Sequence, residues 1–246
     1  MKRMMSKAAI MCLCPILLVA SGCKLLSSGT SNTNTSSPST NTKGSPGAVS
    51  SSDNPLDVLK RAARAERSAK SFRVRGESTT NGSTRTVLLN YVAPDRFHMS
   101  IQSKTGENAS DEMIIIGKDA WKKKGNENWT KVPMELGGSL AKFAAQMVDP
   151  KVLDEKANGM EVKLVGPDTL DGMPTLVYEF TARINVGEEN SNDEVFLKSS
   201  GKAWVSTADG MLRKVDSENE SEGTKSKSVS TYTDYNYSNI KIEPPM

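Results

Sequence analysis

The chain has 246 residues, with 32 Lys and Arg against 29 Asp and Glu, and Lys2, Arg3 and Lys7 account for the whole surplus of +3. The rest is electrically balanced, which excludes a nucleic-acid partner drawn by bulk charge. One histidine and three cysteines, two of them Cys12 and Cys14 near the start, cannot furnish Ser-His-Asp, Cys-His or multi-ligand zinc chemistry, and the GxSxG, GxxxxGK[ST] and HExxH patterns are absent.

Lys2, Arg3 and Lys7 precede an apolar run over residues 8–20. At about thirteen residues this run is short of the roughly 20 that a membrane-spanning helix needs, and it predicts a secretory signal peptide over residues 1–22. The residues that follow, Ala20-Ser21-Gly22-Cys23, resemble the lipobox of bacterial lipoproteins, with Ala20 where that motif usually has leucine. The resemblance implies a diacylglyceryl group on the Cys23 thiol, cleavage just before it, and an exported protein held by lipid in the cell envelope, at the cell surface or on a periplasmic face. With the leader gone, Cys23 is the sole thiol, so the exported domain is expected to fold without a disulfide. Two acyl chains supply the second signal that stable anchoring requires.

Residues 23–54 are mostly Ser, Thr, Asn and Gly and read as a disordered tether with an r.m.s. reach of roughly 30 Å. Residues 55–246 read as one domain of about 190 residues, expected to bury roughly 70% of its unfolded surface. It opens with a helix: Asn54 caps, Pro55 suits the first turn, and Leu56, Leu59 and Ala63 with Val58, Ala62, Ala65 and Ala69 make an apolar stripe. Lys60, Arg61, Arg64, Arg67 and Lys70 form the other face, a solvated surface or, in the sharper alternative, one turned to an anionic membrane.

Beyond the helix the period changes to two. Phe72 and Val74, then Val87, Leu89 and Tyr91, then Phe97, Met99 and Ile101 alternate with outward positions, as half-buried strands do. Further strands are expected over residues 113–116, 120–124, 128–132, 160–165, 175–184, 202–207, 211–216 and 229–237, paired antiparallel through turns at Asp171-Gly172, Asp209-Gly210 and Gly125-Asn126. A second helix is expected over residues 136–148, with Leu140, Phe143, Ala144 and Met147 on one side. Residues 185–193 and 218–228 read as polar loops.

His98 alternates with Phe97 and Met99 and so belongs outside with Arg96. Trp121 and Trp129 are expected near each other across a hairpin, covering a sheet edge. The acidic pairs Asp111-Glu112 and Glu188-Glu189 adjoin turns and read as solvated. No enzyme activity, cofactor or metal is expected.

Several short motifs now fall into a familiar order: "SFRVR" after the first helix, "YVAPDRFHM", "IIIGKDAWKKK" and the closing "YNYSNIKIEPPM". Their succession resembles the LolA-like and LolB-like bacterial lipoprotein carriers, with the mycobacterial LppX and LprG lipid-binding lipoproteins as more distant relatives. The resemblance implies an α+β fold: a half-open antiparallel β-barrel of about 10–11 strands, covered by a long N-terminal helix and one or two further helices, with an apolar hollow for acyl chains. Carriers of the LolA type have an arginine before the proline of the second motif, where it latches a lid, and this chain has Ala93. With the lipid anchor, that loss fits a fixed acceptor or lipid-binding protein rather than a soluble shuttle.

Phe97, Met99, Ile101, Leu176, Tyr178, Phe180 and Ile184 are the candidate lining of such a hollow. The same face would equally fill a solid core, but aromatic residues make up only 5% of the chain, and a wide barrel is hard to fill with so few. Met99, Met113, Met147 and Met160 supply adaptable surface. The expected function is membrane-anchored binding of lipid or of lipoprotein acyl chains, for transport or sorting in the envelope. The alternative is an envelope sensor or scaffold of the same fold that binds a protein partner; the stress regulators it would resemble carry an additional domain, which is not expected here.

Overall fold

The computed structural model describes residues 47–104, 110–133, 159–185, 196–221 and 223–246. Residues 1–46, with Cys23, lie outside that range. The backbone N–H of Val49 donates to the carbonyl of Thr207 at 3.0 Å and its side chain packs on the core, so residues read as the end of the tether already join the fold. Helix α1 (Pro55–Ser68) begins where the Asn54 side chain accepts from the N–H groups of Leu56 and Asp57 at 3.0 and 3.2 Å. Val58 and Ala62 are buried, as is Ala69 at its C-terminal end, with Leu59 and Ala65 packed beside them. Arg67, expected on the solvated face, is buried instead: a helix cradled by a curved sheet is covered over more than one face.

The eleven strands are β1 (Ser71–Thr80), β2 (Ser83–Val92), β3 (Arg96–Ser103), β4 (Ser110–Ile116), β5 (Asp119–Lys124), β6 (Thr130–Lys131), β7 (Glu161–Leu170), β8 (Met173–Asn185), β9 (Phe196–Ser206), β10 (Leu212–Ser221) and β11 (Thr224–Thr233). All pair antiparallel in one sheet, ordered β6-β5-β4-β3-β2-β1-β11-β10-β9-β8-β7. The first and last strands therefore meet in the middle, and β6 and β7 form two separate edges, so the sheet is not closed. The α+β class and the open antiparallel architecture match expectation. Among the described residues α1 is the one helix; the helix expected over 136–148 falls outside them.

Turn chemistry sets the registers. Asn81-Gly82 and Asp171-Gly172 each occupy two successive positive-φ positions, at 50° and 76° and at 50° and 78°, the geometry of the tight hairpin turn whose twist matches the strands. The second was expected and the first was not singled out. Of residues 218–228, read as a polar loop, 218–221 and 224–228 instead belong to the paired strands β10 and β11, with Ser217 opposite Ser228 and Ser221 opposite Thr224. The strands run on there because their inward positions are small polar residues, which pair as well as apolar ones but leave no hydrophobic period. Strand β9 likewise starts at Phe196, ahead of the expected residue 202.

Candidate functional site

Pairing places the inward side chains in rows across the sheet. One row runs Ala120, Ile115, Phe97, Tyr91, Phe72, and Phe72 and Phe97 each lie 5.0 Å from Tyr91, centroid to centroid. The next runs Lys122, Met113, Met99, Leu89, Val74, Tyr232. A third runs from Lys124 and Asp111 through Ile101, Val87, Gly76, Ser230, Val215, Ala203 and Tyr178 to Leu164. Helix α1 lies against β7, β9 and β10 on this face.

Of the candidate lining, Phe97 and Leu176 at 5% exposure, Phe180 at 2% and Tyr178 at 0% belong to one buried cluster with Val58 and Ala62 of α1, and Met99 packs half-buried against it. Ile101 is half-buried between Val87 and Asp111. Ile184 pairs its backbone with Leu197, and its side chain lies outside what is described. Sequence reading did not assign to this lining Ala203, Val205, Val215 and Tyr232, which β9–β11 bring into the same cluster. Their signal was a period-two apolar pattern too diluted by Ser and Gly to stand out.

Toward the far end of β1 and β9–β11 the inner face turns largely polar, with Ser78, Ser199, Ser217, Asn219, Ser221 and Ser228 all buried, while Ala182 of β8 and Leu197 of β9 form a small separate apolar cluster there. The hydroxyls of Ser217 and Ser228 lie 2.9 Å apart. Among the described residues the buried hydroxyls of Tyr178, Ser199 and Ser230 have no hydrogen-bond partner. Ser199 also lines a cleft of about 680 Å³, open at this end and rimmed by charged residues including Arg183, Lys198, Glu220 and Lys225. Charged side chains rim the cleft, but most of the surface it exposes is apolar, and it lies away from the aromatic row.

Burial also marks the seam between α1 and the sheet. The Glu66 carboxyl is pushed up to about 7 by burial, against the opposing pull of Arg67. The Tyr232 and Tyr235 hydroxyls are pushed well above their ordinary value by burial, with the charge of Glu66 adding to it. Tyr235 donates to the carbonyl of Leu212 at 2.8 Å, and the Arg213 guanidinium, bonded to Asp209, sits 5.3 Å from its ring.

On the outer face, His98 is 33% exposed and its Nε2 lies 3.2 Å from Glu112, whose other oxygen accepts from Lys123 at 3.0 Å. Together these partners outweigh burial and hold the Glu112 carboxyl below its ordinary value. The two tryptophans lie on one face of the hairpin but do not stand directly opposite each other. Trp121 stands opposite Lys131, whose ammonium lies 5.6 Å from its ring, and Trp129 takes Lys123 at 5.7 Å. A six-residue strand returning as a two-residue one shifts the second indole past the end of the ladder. The C-terminal tail closes over this side, with Arg96 donating to the carbonyl of Ile242 at 2.7 Å. No group of three or more potential metal ligands assembles among the described residues.

No protein-family model matches the chain, and no curated protein does. Solved structures similar to it include LprF from Mycobacterium bovis (12% identity over 78% of this chain and 99% of that one, TM-score 0.49) and the Mycobacterium tuberculosis lipoprotein LppX (11%, 76% and 97%, 0.47). MucB is also similar, at 18% identity over 76% of this chain and 60% of that one, with a TM-score of 0.40. Its structural neighbours thus include a lipoprotein named with the group that the sequence resembles.

Proposed function

We propose that this is an exported lipoprotein, anchored through Cys23, that shelters acyl chains of a lipid or lipoprotein against the inner face of its open sheet, for transport or sorting in the cell envelope. One observation carries the reading: among the described residues, the apolar inner face is only partly covered at both ends of the sheet. Met99 and Met113 on the β3–β4 side, and Val162 and Leu164 on β7, are only partly buried although all four pack on the core. Acyl chains reaching between the two edges would cover these side chains, and each CH₂ removed from water contributes about 0.8 kcal/mol. Methionine suits such a place because its unbranched side chain repacks around a variable guest. The reading needs no catalysis, only a difference in affinity between donor, protein and acceptor.

Native mass spectrometry of the protein purified gently from its host tests this, with co-purifying lipid as the expected result. A reproducibly empty protein carrying a stoichiometric polypeptide would overturn it in favour of a protein-binding scaffold. Phe97→Glu and Phe180→Glu are expected to abolish uptake. Because both sites are buried, Met99→Glu is the decisive variant: it should keep the native circular dichroism and lose lipid, and unchanged lipid content in a folded Met99→Glu protein excludes this face.

A further inference from the structure

Strands β3, β4 and β5 lose cover in one common direction. On β3 the inward residues go from buried Phe97 to half-buried Met99 and Ile101; on β4 from buried Ile115 through half-buried Met113 to exposed Asp111; on β5 from buried Ala120 to exposed Lys122 and Lys124. Pairing puts Lys122 beside Met113, which is itself beside Met99, and Lys124 beside Asp111, itself beside Ile101. The inner face therefore opens toward two lysines.

Those lysines differ from their neighbours on the other face. Outward-facing Lys123 pairs with Glu112 at 3.0 Å, Lys131 with Asp119 at 2.7 Å, and Lys104 with Glu77. Among the described residues neither Lys122 nor Lys124 has an ion-pair partner, and Asp111 faces Lys124 across the ladder without closing one. At this edge of the sheet the neighbouring outward lysines are paired, whereas the two that border half-covered apolar surface have no ion-pair partner among the described residues.

We infer that Lys122 and Lys124 form an anionic head-group subsite, which takes the phosphate or carboxylate of an amphiphile whose tails lie on Met99, Met113 and Ile101. The inference rests on the acyl-chain reading above and adds to it the charge class of the ligand. Residues two apart on a strand stand about 7 Å apart on one face, so a single anion between the two ammonium groups accepts charge-assisted hydrogen bonds from both. Lysine acts there as a point charge on a flexible stem, which suits a head group that must enter and leave.

The test uses full-length protein and displacement of the uncharged dye N-phenyl-1-naphthylamine by lipids that share one oleoyl chain. Oleate and oleoyl-lysophosphatidylglycerol are expected to displace it at concentrations roughly tenfold lower than monoolein or oleoyl-lysophosphatidylcholine at low ionic strength, with the advantage shrinking as salt is added. Lys122→Glu with Lys124→Glu should erase that advantage and leave monoolein unchanged. Oleate against lysophosphatidylglycerol separates a carboxylate from a phosphate source. Equal displacement by all four lipids, or an advantage that survives the double substitution, overturns the subsite and leaves the acyl-chain reading standing. Displacement by none overturns both. Loss of the advantage on adding excess glycerol phosphate, which has no acyl chain, would show a site for free phosphate and overturn the amphiphile.

Discussion

One ladder carries two different inner faces. Across β1–β4 the inward side chains are Phe72, Val74, Leu89, Tyr91, Phe97 and Ile115, whereas toward the far ends of β9–β11 they are Ser199, Gly201, Ser217, Asn219, Ser228 and Ser230. Both are buried, for unlike reasons. The first is buried because large apolar side chains leave water, at roughly 1.5–3 kcal/mol each. The second is buried because backbones crowd it: a Cβ at Gly201 would stand 2.0 Å from the Asp216 carbonyl oxygen and 2.8 Å from the Ser217 Cα. In the first region space is set by side chains, which can repack around a guest. In the second it is set by main chain, which cannot.

The sharpest way to break this contrast is to add one carbon where the backbone sets the space. Gly201→Ala has no flexible neighbour to displace, and it is expected to cost more than about 3 kcal/mol and to leave much of the protein unfolded, as read by urea denaturation. A loss under about 1 kcal/mol would mean that the far end of the sheet yields as easily as the near one. Removing atoms from the aromatic row is the matching experiment. Phe97→Ala deletes a ring tilted against Tyr91 at 5.0 Å and should cost about 3 kcal/mol, with the cavity it leaves still able to accept the uncharged dye.

The two regions also differ in how far the sequence disclosed them. Phe97, Met99 and Ile101 alternate with Arg96, His98 and Ser100, so strand, face and burial could be read from period alone, and the outward place of His98 followed. Leu176, Tyr178 and Phe180 were legible in the same way. Residues 218–228 were not, because Asn219, Ser221, Ser226 and Ser228 alternate with charged residues and give the period a polar sign on both faces. Lys122 and Lys124 carry the parity of buried Ala120, a signal present in the sequence but masked by the unbroken "KKK" around it. Arg67 and Glu66 were out of reach, since which side of a cradled helix is covered depends on the curvature of the sheet.

Glu66 provides a smaller test at the seam between α1 and Tyr232. Folded, its carboxyl holds a proton up to about 7, against an ordinary value of 4.5, with Arg67 the opposing charge and the Tyr232 and Tyr235 hydroxyls facing it. The folded state thus binds the proton more tightly than the unfolded one. The stability this contributes is fully present below about pH 4.5 and is lost as pH rises through about 7. Glu66→Gln cannot ionise, so it should exceed the parent by about 3 kcal/mol at pH 8 and match it near pH 4. Equal denaturation midpoints at both pH values would place Glu66 in water and loosen α1 from the sheet.

The least of these effects bears on the serine region most directly, because there two hydroxyls on one strand have opposite situations. Ser228 shares a 2.9 Å hydrogen bond with Ser217, so Ser217→Ala strands a buried hydroxyl and should cost about 1 kcal/mol. The Ser230 hydroxyl is buried with no partner among the described residues, so Ser230→Ala removes a desolvated group that gains nothing in return. It should be neutral or stabilising by up to about 1 kcal/mol, even though the side chain packs 3.3 Å from where a Cβ at Gly76 would lie. The sign of the difference between the two alanine variants separates burial by crowding from burial by bonding. If Ser230→Ala instead costs as much as Ser217→Ala, the Ser230 hydroxyl is satisfied by bound water, and the far end of the inner face is wet where the aromatic end is dry.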